Sequence, residues 1–209
     1  MQNIFFDTRI LDKKSREKFF LTEELMMENA AQGLESCVMP HVFHESERYI
    51  NRPCVLILAG RGNNGADGYA LARRLSCHDF CVAVCCIGEP SSEIAKVQKK
   101  RAELLGVSFI SPYDLDSFAE EKSFDISVVV DCIYGSGFHL PLDAESEAVI
   151  QSANKIEAFK ISCDVPSGLD SNGNGKIIFR ADETVAMGAL KLSLFSDKAK
   201  DFCGKIKVC

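Results

Sequence analysis

The stretch CVLILAGRGNNGADG, residues 54–68, decides the fold of this chain. Its first part, Cys54–Ala59, is an uninterrupted apolar run, which is typical of a strand buried on both faces of a parallel sheet. Glycines close the run, and the residues that follow predict a helix over Asp67–Ser76. A strand, a glycine-rich loop and a helix in this order predict one repeat of an α/β fold.

The same alternation continues on both sides of this repeat. Apolar runs predict strands at residues 54–59, 80–87, 107–110, 125–132, 159–163 and 183–187. Apolar residues at helical spacing predict helices at residues 22–38, 67–76, 91–105 and 143–155, the first with Thr22 as its N-cap. Joined by right-handed crossovers, these elements predict a mostly parallel α/β sheet with helices on both faces.

Length and composition predict a single domain over residues 1–209. Hydrophobic residues make up 46% of the chain and charged residues 26%, which excludes an intrinsically disordered protein. The net charge of -6 disfavours nucleic acid as a partner. No apolar run approaches the roughly 18 residues of a membrane helix, and the N-terminus lacks the apolar centre of a secretory signal. We therefore expect a cytoplasmic protein with no membrane partner.

Cysteines and histidines do not predict a zinc site. The ten cysteines lie mostly in apolar segments, where they are expected to be buried, reduced thiols. Cys77, Cys81 and Cys85 are evenly spaced, but they cross a predicted helix end and a strand and cannot share one face. His41 and His44 have no cysteine or carboxylate at the spacing of a zinc finger, so we expect surface histidines.

Ligands of open α/β sheets bind at the carboxyl ends of the strands, so the loops that follow the strands carry the functional information. Three such loops are rich in glycine and polar residues: 60–68, 131–137 and 164–170. The first loop matches the glycine pattern of dinucleotide-binding loops at Gly60, Gly62 and Gly65. On its own this pattern predicts only a helix N-terminus that can face a phosphate.

Asp67 argues against an ordinary dinucleotide site in the first loop. A carboxylate in the first turn of the predicted helix would repel a pyrophosphate at that position. Asn63, Asn64 and Asp67 together offer oxygen donors that suit the hydroxyls of a ligand or a cation. The alternative is that these residues only cap the helix and supply its turn.

Asp131 and Asp164 each end a predicted buried strand. A single aspartate there could be a turn residue or an N-cap, but two at equivalent positions predict two carboxylates near one cleft. Pro166 fixes the backbone before Ser167, which can then offer an oxygen at a defined position. Lys191 is a candidate for the same edge of the sheet, where its ammonium would complement a phosphate.

Taken together, the loops resemble the family of NAD(P)H-hydrate epimerases, also called the YjeF N-terminal domain. The resemblance covers most of the chain, and four motifs in order make it specific. They are GNNGADG at 62–68, VDCIYGSG at 130–137, SCDVPSGLD at 162–170 and ADETV at 181–185 with Lys191-Leu192, preceded by a similar early helix at LMMENA, 25–30. Two positions depart from the family pattern: Ala66 replaces a common glycine, and Phe138–Leu140 replaces a smaller residue and an arginine.

The resemblance implies a Rossmann-like three-layer α/β/α sandwich, commonly a homodimer, that interconverts the R and S forms of hydrated NADH and NADPH. It implies a potassium ion held by Asn64, Asp131 and Ser167. The implied substrate contacts are Asn63, Asn64, Gly65, Ala66, Asp67, Gly135, Ser136, Gly137, Phe138, His139, Leu140, Pro141 and Asp164. Many bacterial relatives continue into a dehydratase domain, so a fused or separate dehydratase is an expected partner.

For this reaction we predict Asp164 as the acid/base group, with Lys191 as the other candidate for the key proton transfer. His139 could contact the ligand or be a solvated loop residue. Two other functions stay open at this point. The fold could bind a nucleotide without turnover, or the glycine pattern with Glu89 near the ribose position could belong to an NAD-dependent dehydrogenase.

Overall fold

The computed structural model describes residues 3–43 and 51–209. Its strands are β1 (Ile4–Phe5), β2 (Arg52–Ala59), β3 (Cys81–Cys86), β4 (Ser108–Ile110), β5 (Phe124–Cys132), β6 (Phe159–Cys163), β7 (Glu183–Ala186), β8 (Leu190–Lys191) and β9 (Lys205–Val208). Its helices are α1 (Arg9–Phe19), α2 (Glu23–Phe43), α3 (Asn63–Leu75), α4 (Glu93–Leu104), α5 (Leu115–Ala119), α6 (Ala144–Lys155) and α7 (Lys200–Cys203).

Seven of the described strands form one parallel sheet in the order β4-β3-β2-β5-β6-β7-β9. One apolar cluster packs α2, α3 and α4 on one face of this sheet, and a second packs α5 and α6 on the other. In β2 the six residues Cys54–Ala59 are fully buried, because both faces of the strand are covered. The predicted α/β architecture with helices on both faces is confirmed.

The first helix of the α/β repeat begins earlier than predicted. α3 starts at Asn63 instead of Asp67, because Gly62 takes an extended N-cap conformation and the residues after it are already helical. Asp67 therefore lies in the second turn of the helix, and the expectation that it lies in the first turn was wrong. In α2 the predicted N-cap is confirmed, since the Thr22 hydroxyl accepts a hydrogen bond from the Leu25 amide at 3.2 Å.

The N-terminal segment contains elements that the apolar pattern did not predict. β1 pairs with β8 in a separate two-stranded parallel ladder outside the main sheet. This pairing places α1, which has no buried residue, beside the carboxyl ends of the main strands. Only Ile10, Leu11 and Phe19 of α1 are apolar, too few for the stripe of a helix packed on a core, which is why it went unpredicted.

Cys54, Cys85, Cys132 and Cys163 are buried, Cys81 and Cys86 are half-buried, and none of the ten is in a disulfide. His41 is half-buried in α2 and its ring stacks on Phe159, so the expected surface position was wrong for this residue, while His44 lies outside the described residues. Within residues 3–43 and 51–209, no helix has both the length and the apolarity needed to cross a membrane.

Candidate functional site

A cavity of about 1140 Å³ lies at the carboxyl ends of β2, β5 and β6. Its volume is at the upper end of what holds a small-molecule ligand. Of the predicted contact residues, ten line the cavity: Asn63, Asn64, Asp67, Gly135, Ser136, Gly137, Phe138, His139, Pro141 and Asp164. Gly65, Ala66 and Leu140 do not line it; the first two are buried inside α3, and Leu140 is exposed. The three loops therefore converge on one cavity, as parallel strands require.

Asp164 is the most constrained residue of the cavity wall. It follows β6 directly, with a φ of 73°, a left-handed conformation that non-glycine side chains rarely adopt. Its Oδ2 accepts a hydrogen bond from the Ser136 amide at 2.7 Å, and its Oδ1 accepts one from the Met187 amide at 3.3 Å. Strained backbone of this kind persists where surrounding contacts enforce it and is common at functional sites.

Lys191 is the cationic partner of Asp164. The ammonium forms an ion pair with Asp164 Oδ1, and it also donates a hydrogen bond to the Met187 carbonyl. Both side chains are buried: Lys191 is 1% exposed and Asp164 8%. The predicted position of Lys191 at this edge of the sheet is confirmed, but the group it meets there is a carboxylate of the protein.

Asp131 at the end of β5 and Ser167 in the loop after β6 are hydrogen-bonded to each other, and neither lines the cavity. The Ser167 hydroxyl and amide donate to the two oxygens of Asp131 at 2.6 and 2.8 Å, and the Ile133 amide and the Ser162 hydroxyl add two further bonds. Burial raises the pKa of Asp131 to about 6, although these hydrogen bonds favour its ionised form. The side chain is fully buried, and no ion pair to it exists among the described residues.

Asn64 reaches across the sheet edge from α3. Its Nδ2 donates to the Cys163 carbonyl at 3.4 Å, next to Asp164. A Cβ on Gly135 would lie 3.0 Å from Asp164 Oδ2 and 3.4 Å from Asn64 Oδ1, so both oxygens face the loop after β5. Within the described chain, Asn64 makes no hydrogen bond to Asp131 or Ser167, so the three predicted potassium ligands adjoin one loop without forming a closed cluster.

The glycine loop is held by close backbone packing. A Cβ on Gly60 would lie 2.1 Å from the Ile133 carbonyl oxygen, and one on Gly65 would lie 1.8 Å from the Gly60 carbonyl oxygen. Gly65 is therefore required so that α3 can begin against the end of β2. The loop presents Asn63, Asn64 and Asp67 to the cavity from the first turns of this helix.

We expect Gly65→Ala to lower the free energy of unfolding by about 1–3 kcal/mol, because the added methyl group overlaps a backbone carbonyl. Gly62→Ala is the matched control, since a Cβ at Gly62 meets no atom within 4 Å. At this N-cap position alanine should cost less than about 1 kcal/mol. Urea unfolding of both variants measures the difference, and equal stabilities would contradict the packing argument.

The wall opposite the strand ends was not predicted from the sequence. It consists of Thr8, which precedes α1, and of residues of α1 and α2: Arg9, Leu11, Asp12, Ser15, Met26, Asn29 and Ala30. Cys209 also borders the cavity, and its thiol donates to the Asn29 carbonyl at 3.7 Å. The signal that could have drawn attention to α1 is its exposed apolar side chains in a segment dense in charge. His139 borders the cavity and is exposed, which fits both roles considered for it.

Comparisons with known proteins point to one family. The family model described as YjeF-related protein N-terminus matches residues 23–193. Over its full length the chain is 38% identical to a bifunctional NAD(P)H-hydrate repair enzyme of Helicobacter pylori and covers 42% of that protein. It is 30% identical to an NAD(P)H-hydrate epimerase of Rhodopirellula baltica, with 96% of this chain and 80% of the relative aligned. A protein of Oenococcus oeni, also named NAD(P)H-hydrate epimerase, is 31% identical, with 94% of this chain and 90% of that relative aligned.

Among solved structures, the crystal structure of a yeast protein, YNL200c, matches with a TM-score of 0.78 at 19% identity. The match covers 96% of this chain and 84% of the yeast chain, and it shows a common fold. The chain spans about two fifths of the length of bifunctional NAD(P)H-hydrate repair enzymes that it matches, 42% of the one from Helicobacter pylori and 39% of one from Archaeoglobus fulgidus.

Proposed function

The chain belongs to the family of YjeF-related protein N-terminal domains, and on this premise we propose that it is an NAD(P)H-hydrate epimerase. Its reaction is the interconversion of the R and S forms of hydrated NADH and NADPH. The observation that carries the proposal is the Asp164 carboxylate in the wall of the cavity where the three loops converge, paired with the buried Lys191. Two relatives named for this activity align with 96% and 94% of the chain.

The chemistry of the substrate defines what the site has to do. The hydrated nicotinamide carries a hydroxyl group on a ring carbon next to nitrogen, so the nitrogen lone pair can expel that hydroxyl and form an iminium ion. Water that adds to the opposite face then gives the other epimer. An acid assists the departure of the hydroxyl and a base activates the returning water, each contributing about 10²- to 10⁴-fold.

Asp164 suits the role of base in this sequence. Lys191 compensates its negative charge, and the amides of Ser136 and Met187 hold both carboxylate oxygens, so the carboxylate is oriented before the substrate binds. Its position in the cavity wall gives it access to a ligand, whereas Asp131 is fully buried and bonded to Ser167. We therefore assign proton transfer to Asp164 and a positioning role to Asp131.

Incubation with a mixture of both hydrate epimers and an S-specific dehydratase tests the function. Complete consumption of the mixture supports the epimerase, since the R form reaches the dehydratase only after inversion. If the R form remains unconsumed, as it does in a control with the dehydratase alone, the protein would instead be a nucleotide-binding module. Reduction of NAD by an alcohol, followed by absorbance, would favour the dehydrogenase.

The same chemistry makes a dehydratase the natural partner, fused or separate, because it consumes the S form that inversion supplies. Two relatives of greater length are named as bifunctional repair enzymes. The expectation that this chain acts beside a dehydratase follows from those names and from the reaction itself.

A potassium ion fits the residues at Asn64, Asp131 and Ser167. The donors are a carboxylate, an amide oxygen and a hydroxyl, all hard oxygen ligands. Asp131 is buried without an ion pair among the described residues, and its pKa is raised by burial, so a bound cation would offset its charge. We propose that these residues hold the ion, which would supply a positive charge that fixes the loops after β2, β5 and β6.

We expect potassium chloride to stabilise the protein more than choline chloride at equal ionic strength. At a cation concentration 100 times its dissociation constant the gain is about 2.7 kcal/mol, or roughly 5–10 °C in Tm. Asp131→Asn removes the carboxylate and should abolish the difference between the salts. Asp116→Asn, at an exposed position of α5, is the control and should keep the difference in stability between the two salts. Equal melting of the wild type in both salts would contradict a potassium site.

We also propose that the chain forms a homodimer. The N-terminal segment exposes several large apolar side chains, including Phe6, Ile10, Phe19 and Phe20, and Phe20 is 86% exposed. Exposed apolar residues in such number are common at protein interfaces. We expect a dimeric mass in sedimentation equilibrium and a shift toward the monomer in Phe20→Ser. A dimer with a micromolar dissociation constant is almost complete when the protein concentration is about 100 times that constant. A wild type that is still monomeric at such a concentration would contradict the proposal.

A further inference from the structure

Asp67 is a second carboxyl group in the wall of the same cavity, and its surroundings differ from those of Asp164. It lies in α3 and is half-buried. No group of residues 3–43 and 51–209 forms a hydrogen bond or an ion pair with its side chain. Asp164, in contrast, has a cation and two backbone amides as partners. Asp67 lies on helix α3, whereas Asp164 follows strand β6.

The charges around Asp67 are unfavourable for a carboxylate. Burial raises its pKa well above the usual range, and the negative charges of Asp164 and Asp12 raise it further. Lys191 is already paired with Asp164. The two arginines that line the cavity have other partners, since Arg9 pairs with Asp7 and Arg61 with Glu145. The other titratable groups that face Asp67 are the thiols of Cys132, Cys163 and Cys209. None of these groups stabilises an ionised Asp67.

We propose that Asp67 is the catalytic acid of this site, which gives its proton to the departing hydroxyl group while Asp164 acts as the base. The inference rests on the proposed epimerase function and adds a residue to it. Two carboxyl groups in different surroundings, one paired with a cation and one without, suit the roles of base and acid in one site.

The C–O bond of the hydrated ring breaks, its electron pair leaves with the oxygen, and the proton of Asp67 turns the departing hydroxyl into water. The ring nitrogen lone pair forms the C=N bond of the iminium ion. A water molecule then forms a C–O bond on the other face, the C=N electron pair returns to nitrogen, and Asp164 takes the proton of that water. Exchange of protons with solvent restores both carboxyl groups, and in the reverse direction their roles are exchanged.

The test combines kinetics with a direct reading of protonation. In Asp67→Asn the shape of the side chain is kept and the proton donor is lost, so we expect kcat for epimerisation to fall by about 10²-fold. In the wild type we expect kcat/KM to fall at alkaline pH as Asp67 loses its proton. The residual activity of Asp67→Asn should not show this fall. Asp116→Asn, far from the cavity on α5, is the control and should keep wild-type kinetics.

Carbon-13 NMR of aspartate-labelled protein supplies the reading that does not depend on activity. The resonance missing in Asp67→Asn identifies the carboxyl group, and we expect it to be that of a protonated acid at pH 7. Activity of Asp67→Asn within about threefold of an active wild type would overturn the inference and leave the epimerase function standing. A carboxyl resonance that titrates near the usual value for aspartate would overturn it as well. An inactive wild type would overturn both the function and this role.

Discussion

Asp164→Asn is expected to lower kcat for epimerisation by about 10²- to 10⁴-fold, because the base that activates the returning water is lost. Asparagine has the same shape, and it tolerates the left-handed backbone at this position at least as well as aspartate. Its amide group cannot accept from both the Ser136 and Met187 amides, so some loss of stability accompanies the substitution. Rates are measured by following each epimer by chromatography at saturating substrate.

The control for Asp164→Asn is its unfolding curve, which separates a damaged fold from a missing base. A folded variant with a KM near that of the wild type and a strongly reduced kcat is the expected result, since the substrate still binds. Retained inversion in a folded Asp164→Asn protein would exclude Asp164 as the base and leave Lys191 and Asp67 as the candidates for the proton transfer.

Lys191→Met is expected to destabilise the fold by about 3–5 kcal/mol, because it leaves the buried Asp164 carboxylate without its cation. Methionine fills a similar volume, so the effect reports the charge. Chemical denaturation measures the loss. Lys205→Met, at an exposed position of β9, is the matched control and should change stability by less than about 0.5 kcal/mol.

The double variant Asp164→Asn with Lys191→Met sharpens this prediction. Removal of both charges eliminates the uncompensated buried group, so the double variant should be more stable than Lys191→Met alone. If the double variant lost as much stability as the two single variants together, the ion pair would not be the cause of the effect. Wild-type stability in Lys191→Met would contradict the importance of the pair altogether.

Fully buried strands and helices with a side-chain cap could be located from the sequence almost to the residue. The strand Phe159–Cys163 has the same bounds in the prediction and in the structure, and α6 is capped by Asp143, where the predicted helix began. Such segments are identifiable because burial requires an unbroken apolar run and a cap requires a side-chain oxygen. α1 has neither feature, so its place in the wall of the cavity was not predicted.

The sequence by itself determined the parallel α/β architecture and the placement of Asp131 and Asp164 at one edge of the sheet. These depend on local apolar patterns and on the geometry that all parallel strands share. Only the tertiary structure decided that Lys191 neutralises Asp164 and that Asp67 has no such partner. The pairing of charges is a matter of distances between segments far apart in the chain, and no local pattern of residues encodes those distances.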